Sequence, residues 1–296
     1  MFDVRSIEKN ILHIYMENLQ IKINENKDIS WVRTENMKKV DYLCLSDDID
    51  SLFSCIILRD LFPNLSIGAF YNFSELYSKE NAKFDKYVIG VDMDIIKGHA
   101  FGNHVTKISK KDTYNTKCFN LNNIYNISRE NYYQKYCGST LLTIISLYNV
   151  DINNLNDEAK IGLLAIDSTY MGYYFNNGYY CKKYLKELEL DCLIDILEKY
   201  PKYKFQETIR KYNLTEKIYI NKEGKLTTKI DLIGLSELFG LPFIMPKAKF
   251  NKCCSYNSKV KNINYNITKN DLKEDIFSFV LSRKNLIKYS VKGIRF

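Results

Sequence analysis

The chain has 296 residues, of which 46% are hydrophobic and 26% charged, and this length and composition suit one large or two ordinary globular domains. No stretch approaches the roughly 18 apolar residues of a membrane helix, and the eight cysteines include no CxxC pair, so neither a membrane association nor a cysteine zinc site is expected. Residues 201–296 carry 20 Lys+Arg against 8 Asp+Glu, whereas residues 1–200 carry 23 against 27, which favours a polyanionic partner over a basic surface that only aids solubility.

The N-terminal region, residues 1–35, is predicted to form one or two helices, because apolar residues recur at three- and four-residue spacing. It lacks the basic-then-apolar order of a secretory signal. We therefore expect a cytoplasmic protein.

Strands and helices then alternate along the chain. The run "KVDYLCLSDD" predicts a strand, and "DSLFSCIILRDLF" predicts a helix that Asp50 or Ser51 can cap at its start. Further strands are predicted in "LSIGAFYNF", "KYVIGVDMDI" and "HVTKISK", and further helices in "GSTLLTIISLYNV" and "NDEAKIGLLAIDSTY". This alternation predicts an α/β fold with a mostly parallel sheet flanked by helices.

The C-terminal region has a different pattern. "KIYINKEGKLTTKI" predicts a β-hairpin that turns at Glu223 and Gly224, and helices are expected near residues 231–240 and 271–282. We therefore predict two domains, residues 1–200 and a smaller, basic α+β domain over residues 215–296.

Acidic residues follow two of the predicted strands. Asp48 and Asp50 come after the first strand, and Asp92 and Asp94 after the third. Ligands of parallel α/β sheets bind beyond the carboxyl ends of the strands, where these residues would lie. Carboxylates suit hard divalent cations, and a histidine such as His104 shifts the preference toward Mn²⁺. A solvated turn that caps the next helix is the alternative for the first loop.

Four segments resemble the motifs of the DHH phosphoesterases, which include RecJ-type exonucleases, oligoribonucleases and cyclic dinucleotide phosphodiesterases. "SDDIDS" resembles the first motif, H-x-D-x-D-G, with Ser46 in place of the histidine and Ser51 in place of the glycine. "VIGVDMD" is similar to the second, and "NHV" at residues 103–105 to Asp-His-His. The stretch "GSTLLTIISLYNVDINNLNDEAKIGLLAIDSTY" is similar to the fourth motif. The resemblance spans residues 38–172.

The resemblance implies a set of metal ligands and catalytic residues. One cation would be held by four residues that are all present: Asp50, Asp92, His104 and Asp167. A second would use Asp48 and Asp92, but its histidine is replaced by Ser46, so one Mn²⁺ (or Mg²⁺) site is better supported than two. Asp48, Asp92 and His104 are the implied catalytic residues.

Two other positions depart from the third motif, and two nearby residues could compensate for the lost ligand. Asn103 replaces the aspartate that orients the histidine, and Val105 replaces a histidine that holds the scissile phosphate. Asp94 and His99 are close in sequence to the second motif and could complete the second site.

The implied function is metal-dependent hydrolysis of a phosphodiester in a short oligonucleotide, a single-stranded nucleic acid end or a signalling nucleotide. The alternative is a catalytically reduced relative that binds or sequesters a nucleotide or nucleic acid without cleaving it. A third reading is an interaction protein whose basic half docks on nucleic acid or another partner without binding a metal.

Candidate substrate contacts come from two regions. Ser139 and Thr140 begin a predicted helix and could donate to a phosphate, although an ordinary N-cap fits equally. The C-terminal region alternates basic and aromatic residues, a mixture that suits single strands or nucleotides, although surface lysines are often only solvated. The basic candidates are Lys247, Lys249, Lys252, Arg283 and Lys284.

Overall fold

A computed structural model of the chain describes residues 27–82, 87–264 and 267–295. Most of the helical region predicted for residues 1–35 lies outside these ranges. Its described part holds a 3₁₀ helix, Lys27–Val32, and a short helix α1, Thr34–Met37. In the described ranges, no helix has the length and apolar character needed to cross a membrane.

The main sheet has nine strands, in the order β10-β11-β9-β3-β2-β1-β4-β5-β6. The five adjacent strands β2, β1, β4, β5 and β6 are parallel to one another. The remaining strand pairs of the sheet are antiparallel. The α/β class is confirmed, with a sheet that is mixed. The strands are β1 Tyr42–Leu45, β2 Ser66–Tyr71, β3 Glu75–Lys79, β4 Val88–Val91, β5 Ala100–Phe101, β6 Cys118–Phe119, β9 Phe250–Asn262, β10 Ile276–Arg283 and β11 Leu286–Arg295, while β7 Ile218–Ile220 and β8 Leu226–Thr228 form a separate hairpin.

Helices cover one face of the parallel half of the sheet. Besides α1, they are α2 Ile49–Leu61, α3 Leu121–Ile124, α4 Thr140–Leu147, α5 Asp157–Ala165, α6 Tyr179–Glu187, α7 Asp191–Lys199, α8 Lys202–Lys211 and α9 Leu232–Phe239. Leu43 and Leu45 of β1 pack on this side, in the large core that includes most of α2 and α4. Because side chains alternate along a strand, Cys44 points to the opposite face.

The opposite face is covered by the C-terminal strands. Tyr71, at the end of β2, is 1% exposed, and its hydroxyl bonds Oγ of Ser278 at 2.9 Å and Oγ of Ser290 at 2.6 Å. The far edge strand β10 also forms isolated bridges to Ile95 and Val105. The sheet therefore curls until its β10 edge meets the segments that follow β4 and β5.

The region from residue 215 onward contains both the separate β7–β8 hairpin and three strands of the main sheet. β9 pairs antiparallel with β3, so β9, β11 and β10 continue the sheet of the N-terminal half. The division into domains at 1–200 and 215–296 stays a prediction.

Two predicted elements are wrong. The helix expected near residues 271–282 is strand β10, in which the four consecutive residues from Ser278 to Leu281 are buried because both faces of the strand are covered. A continuous apolar run of this length cannot be separated from a buried helix by its periodicity. The strand expected in residues 104–110 is a loop that makes one bridge, between Val105 and Leu281.

Candidate functional site

The candidate site lies where β1 and β4 end side by side. Leu45 pairs with Val91, so Ser46 and Asp92 leave the sheet together, and the Ser46 hydroxyl donates to Asp92 Oδ2 at 3.3 Å. Asp92 has a φ of +56°, a left-handed conformation that aspartate tolerates better than most residues. The turn after β4 therefore directs this carboxylate toward the end of β1.

The first acidic loop begins helix α2. Asp48 is its N-cap and accepts a hydrogen bond from the Ser51 amide at 3.3 Å, so the predicted cap at Asp50 or Ser51 is wrong by two to three residues. Asp48 therefore has the helix-capping role that was the alternative to metal binding for this loop. Ser51, in the position of the motif's glycine, accepts from the Ser46 amide and donates to the Val91 carbonyl, both at 2.7 Å, which joins β1 to β4.

Asp50 connects α2 to α4. It is 2% exposed, and its two carboxylate oxygens accept the backbone amides of Thr140 and Leu141, both at 2.8 Å. The Thr140 hydroxyl in turn donates to Asp92 Oδ1 at 2.8 Å. The start of α4 thus holds two of the predicted metal ligands in place.

His104 is oriented by Asp94. Asp94 Oδ2 accepts from the His104 amide at 3.2 Å and lies 3.1 Å from Nδ1 of the ring, while Asn120 donates to Asp94 Oδ1 at 2.6 Å. A Cβ at Gly102 would lie 2.3 Å from Asp94 Oδ1, so only glycine allows this approach. Asp94 therefore supplies the orienting carboxylate that Asn103 does not, and it leaves Nε2 of His104 as the nitrogen for a ligand.

Asp167 completes the set from the other side. It has a φ of +50°, directly after α5, and accepts from Nδ2 of Asn103 at 2.7 Å. The same Nδ2 donates to the Gly138 carbonyl at 3.2 Å. Asn103 is 5% exposed, and its Oδ1 is buried without a hydrogen-bond partner among the described residues. Asn103 thus positions Asp167 and leaves one polar atom at the site unsatisfied.

The acidic residues act on one another electrostatically. Burial raises the pKa of Asp50 well above its usual range, and the neighbouring carboxylates of Asp92, Asp167 and Asp48 raise it further. Burial and the Asp48 charge do the same to the pKa of Asp92. Desolvation lowers the pKa of His104, but its bond to Asp94 and the nearby carboxylates outweigh this and raise the pKa to about 9. The four aspartates and His104 therefore meet in one place.

The donor types suit a hard cation, but their present arrangement is closed by internal hydrogen bonds. In the ranges that the structure describes, no three His, Cys, Asp or Glu side chains form a group ready to hold a metal ion. Both oxygens of Asp50 and both of Asp92 already accept protein donors. A cation would have to share these oxygens with the start of α4.

A lysine from the β7–β8 hairpin reaches the first acidic loop. Lys217 Nζ lies 3.0 Å from Asp47 Oδ1 and 3.3 Å from Asp48 Oδ2, and the next amide, of Ile218, donates to the Asp47 carbonyl at 2.8 Å. Desolvation lowers the pKa of Lys217, but the two carboxylates raise it to about 12. Asp48 therefore has an internal cation as its partner. Lys217 was not among the predicted site residues, because nothing in the sequence around it marks a contact with a residue 169 positions away.

Two further positions from the motifs have other environments. Val105 is 1% exposed and packs in the core beneath β10, with its carbonyl accepting from the Leu281 amide at 2.8 Å. His99 lies before β5 and packs on Trp31 and Tyr87, with ring centroids 5.1 and 5.0 Å away. Neither His99 nor Asp94, which is committed to His104, supplies the missing ligand beside Asp48.

The predicted substrate contacts at the start of α4 have structural roles. Ser139 is the N-cap of α4, accepting from the Leu142 amide at 3.2 Å, and it is fully buried. Thr140 is 1% exposed and bonds to Asp50 and Asp92. The alternative of an ordinary N-cap is the one observed.

The predicted basic contacts fall into two groups. Lys247, Lys249 and Lys252 lie before or at the start of β9, with Lys252 paired to Glu75. Arg283 and Lys284 lie at the β10–β11 turn, beside the other end of β9. Ten residues of strand separate the two ends, a path of roughly 33 Å at about 3.3 Å per residue. The five exposed side chains therefore do not form one patch.

Comparison of the chain with models of known protein families, with characterised proteins and with solved structures finds no match. The DHH family stays a prediction from the motifs.

Proposed function

We propose that this protein is a divalent-metal-dependent phosphodiesterase of DHH type, acting on a short oligonucleotide, a single-stranded nucleic acid end or a signalling nucleotide. The observation that supports the proposal is the grouping of Asp50 and Asp92, which follow β1 and β4, with Asp167 after α5 and His104 after β5. Their carboxylates raise one another's pKa, and a bound cation relieves such repulsion.

One cation would be held by Asp50, Asp92, Asp167 and Nε2 of His104. When bound, Mn²⁺ or Mg²⁺ would polarise a phosphate oxygen and lower the pKa of a coordinated water. Asp94 fixes the ring of His104, Thr140 fixes Asp92, and Asn103 fixes Asp167. A second cation beside Asp48 would have to displace Lys217.

The test combines metal binding with turnover. Mn²⁺ is titrated by calorimetry, and a panel of dinucleotides, cyclic dinucleotides and end-labelled single strands is then incubated with the metal-loaded protein. We expect Asp92→Asn and Asp167→Asn to abolish both metal binding and turnover, and Asp195→Asn, an exposed carboxylate on α7, to change neither. Turnover that persists in EDTA, or in Asp92→Asn, contradicts the proposal.

The second candidate is a catalytically reduced protein that binds or sequesters a nucleotide or nucleic acid without cleaving it. It is favoured by the burial of Val105, since the position assigned to the phosphate-holding histidine lies under β10. Ser46 is hydrogen-bonded to Asp92, and Lys217 is paired with Asp48, which also favours the non-cleaving candidate. Tight binding of a member of the panel, with no product after prolonged incubation with Mn²⁺, supports this candidate over the enzyme.

A further inference from the structure

A group of exposed aromatic side chains consists of residues shortly after Asp167 in the chain, together with Tyr133. We call it the aromatic band and define it by six residues: Tyr133, Tyr173, Tyr174, Phe175, Tyr179 and Tyr180. Four of them are strongly exposed, with Tyr133 at 52%, Tyr174 at 43%, Phe175 at 60% and Tyr179 at 62%. Large rings concentrated at one exposed place mark an interaction surface, whereas single exposed apolar residues are ordinary.

Five of the six rings of the aromatic band contact one another in two groups. Ring centroids are 5.9 Å apart for Tyr133 and Tyr180, 4.9 Å for Tyr180 and Tyr179, and 5.4 Å for Tyr173 and Tyr174. Tyr173 packs on Gly178, where a Cβ would lie 2.9 Å from its Cδ2, and this contact joins the two groups. The paired rings meet edge to face, at 73° to 90°. The exposure of Tyr133, Phe175 and Tyr179 leaves ring faces open to a flat ligand.

Lysines border these rings. Lys182 Nζ lies 5.5 Å from the centroid of Tyr173, and Lys202 Nζ lies 5.7 Å from that of Tyr174. At the other end, Lys135 Nζ lies 5.1 Å from the centroid of Tyr132, next to Tyr133. Lys182 also pairs with Glu198 at 3.1 Å. The surface therefore combines open ring faces with positive charge.

Part of the aromatic band lies in the same chain segment as Asp167 of the candidate site. The 3₁₀ segment Ile166–Tyr174 contains Asp167 near its start and Tyr173 and Tyr174 at its end. The positive charge of Lys135 also acts on the Asp167 carboxylate. A ligand lying on the band would therefore extend toward the acidic residues.

We propose that the aromatic band binds single-stranded nucleic acid, with bases stacked on the open ring faces and phosphates near Lys135, Lys182 and Lys202. Duplexes keep their bases stacked inside the helix and cannot offer them to exposed rings, so the band selects unpaired strands. That the bound strand is also the substrate rests on the proposed function. If so, the substrate is narrowed to a single strand several nucleotides long.

The test measures strand binding by fluorescence anisotropy, with a 5′-labelled twelve-nucleotide thymidine oligomer and the full chain in EDTA. We expect Phe175→Ala and Tyr179→Ala each to weaken binding by roughly tenfold, the effect of one lost stacking platform. Tyr219→Ala, at an exposed ring on the β7–β8 hairpin, is the matched control and should bind as the unaltered chain does. Lys202→Ala should lower the dependence of log Kd on log salt concentration by about 0.7, the change for one lost phosphate contact on a single strand.

Several results would overturn the inference. They are equal binding by Phe175→Ala and Tyr219→Ala, equal affinity for a duplex of the same length, and salt-independent binding. A dimer on light scattering that Phe175→Ala abolishes, with no strand bound, would assign the band to self-association instead. Asp92→Asn separates this inference from the proposed function, because it should lose metal binding while retaining strand binding in EDTA. Strand binding by a chain that never turns over the panel supports the inference and rejects the enzyme.

Discussion

Replacing Asp50 by alanine should destabilise the protein even when no metal is bound. The substitution leaves the buried amides of Thr140 and Leu141 without an acceptor. A buried donor left unpaired costs about 1–3 kcal/mol, so two cost about 2–6 kcal/mol. Removing the charge also relieves the repulsion from Asp92 and the other carboxylates, which offsets part of this cost. We expect a net loss of about 2–4 kcal/mol, or roughly 4–16 °C in Tm at about 2–4 °C per kcal/mol.

Two further variants separate the hydrogen bonds from the charge. Asp50→Asn removes the charge but keeps one carbonyl oxygen for one of the two amides, so its Tm should lie between those of Asp50→Ala and the unaltered chain. Asp60→Ala removes an exposed carboxylate from the same helix α2 and should change stability by less than about 0.5 kcal/mol.

The assay is thermal unfolding followed by circular dichroism in EDTA, repeated with urea as the denaturant. If Asp50→Ala melts together with Asp60→Ala, the carboxylate does not hold the start of α4. If Asp50→Asn is as unstable as Asp50→Ala, a loss other than the two hydrogen bonds controls the effect. Either result would refute the role given to Asp50.

Three other predictions concern the charges of the site. Burial raises the pKa of Asp92 above its usual 3.8. The stability that the protonated Asp92 contributes is therefore complete below pH 3.8 and is lost as the pH rises through the raised pKa. Between pH 5 and 8 in EDTA, the Tm of Asp92→Asn should fall less than that of the unaltered chain. Lys217→Met should tighten Mn²⁺ binding several-fold, as measured by calorimetry, because it removes the cation beside the acidic loop. Lys225→Met, on the same hairpin, should leave Mn²⁺ binding unchanged. Weaker Mn²⁺ binding by Lys217→Met would contradict competition between Lys217 and the metal. Asp94→Asn should lower the pKa of His104 from about 9, as followed by its ring proton resonances in EDTA, and an unchanged titration would show that Asp94 does not hold the ring.

The parallel half of the fold could be predicted because its signals are local. Strands β1, β2 and β4 and helices α2, α4 and α5 each have an apolar run of the right length next to a turn or a cap, and the structure has all of them. The β7–β8 hairpin was predictable for the same reason, since Gly224 has the φ of +79° that its turn requires. Strand β10 was not, because it is covered on both faces and its sequence lacks the alternation of a half-exposed strand.

The positions of Asp48, Asp50 and Asp92 after predicted strands were readable from the sequence, and the pairing of β1 with β4 brings Asp92 to the first loop. Asp167 follows helix α5 and was predicted only from the resemblance to the fourth motif. What the sequence could not give is the partner of each oxygen. The bonds from α4 to Asp50, from Asn103 to Asp167 and from Lys217 to Asp48 join segments 64 to 169 residues apart. Such contacts leave no trace in the local sequence pattern.

The covering of the parallel sheet by the chain's last strands also affects when the protein can fold. The Tyr71 hydroxyl can form its hydrogen bonds only after Ser278 and Ser290, which are 207 and 219 residues further along, have been synthesised. At about 5–20 residues per second, a ribosome needs roughly 10–40 s to make that length of chain. During this time, the face that carries Cys44, Ala69 and Tyr71 is open to water, and β3 has an unpaired edge. The nascent chain therefore has this face and this edge exposed to aggregation until β9, β10 and β11 have been synthesised.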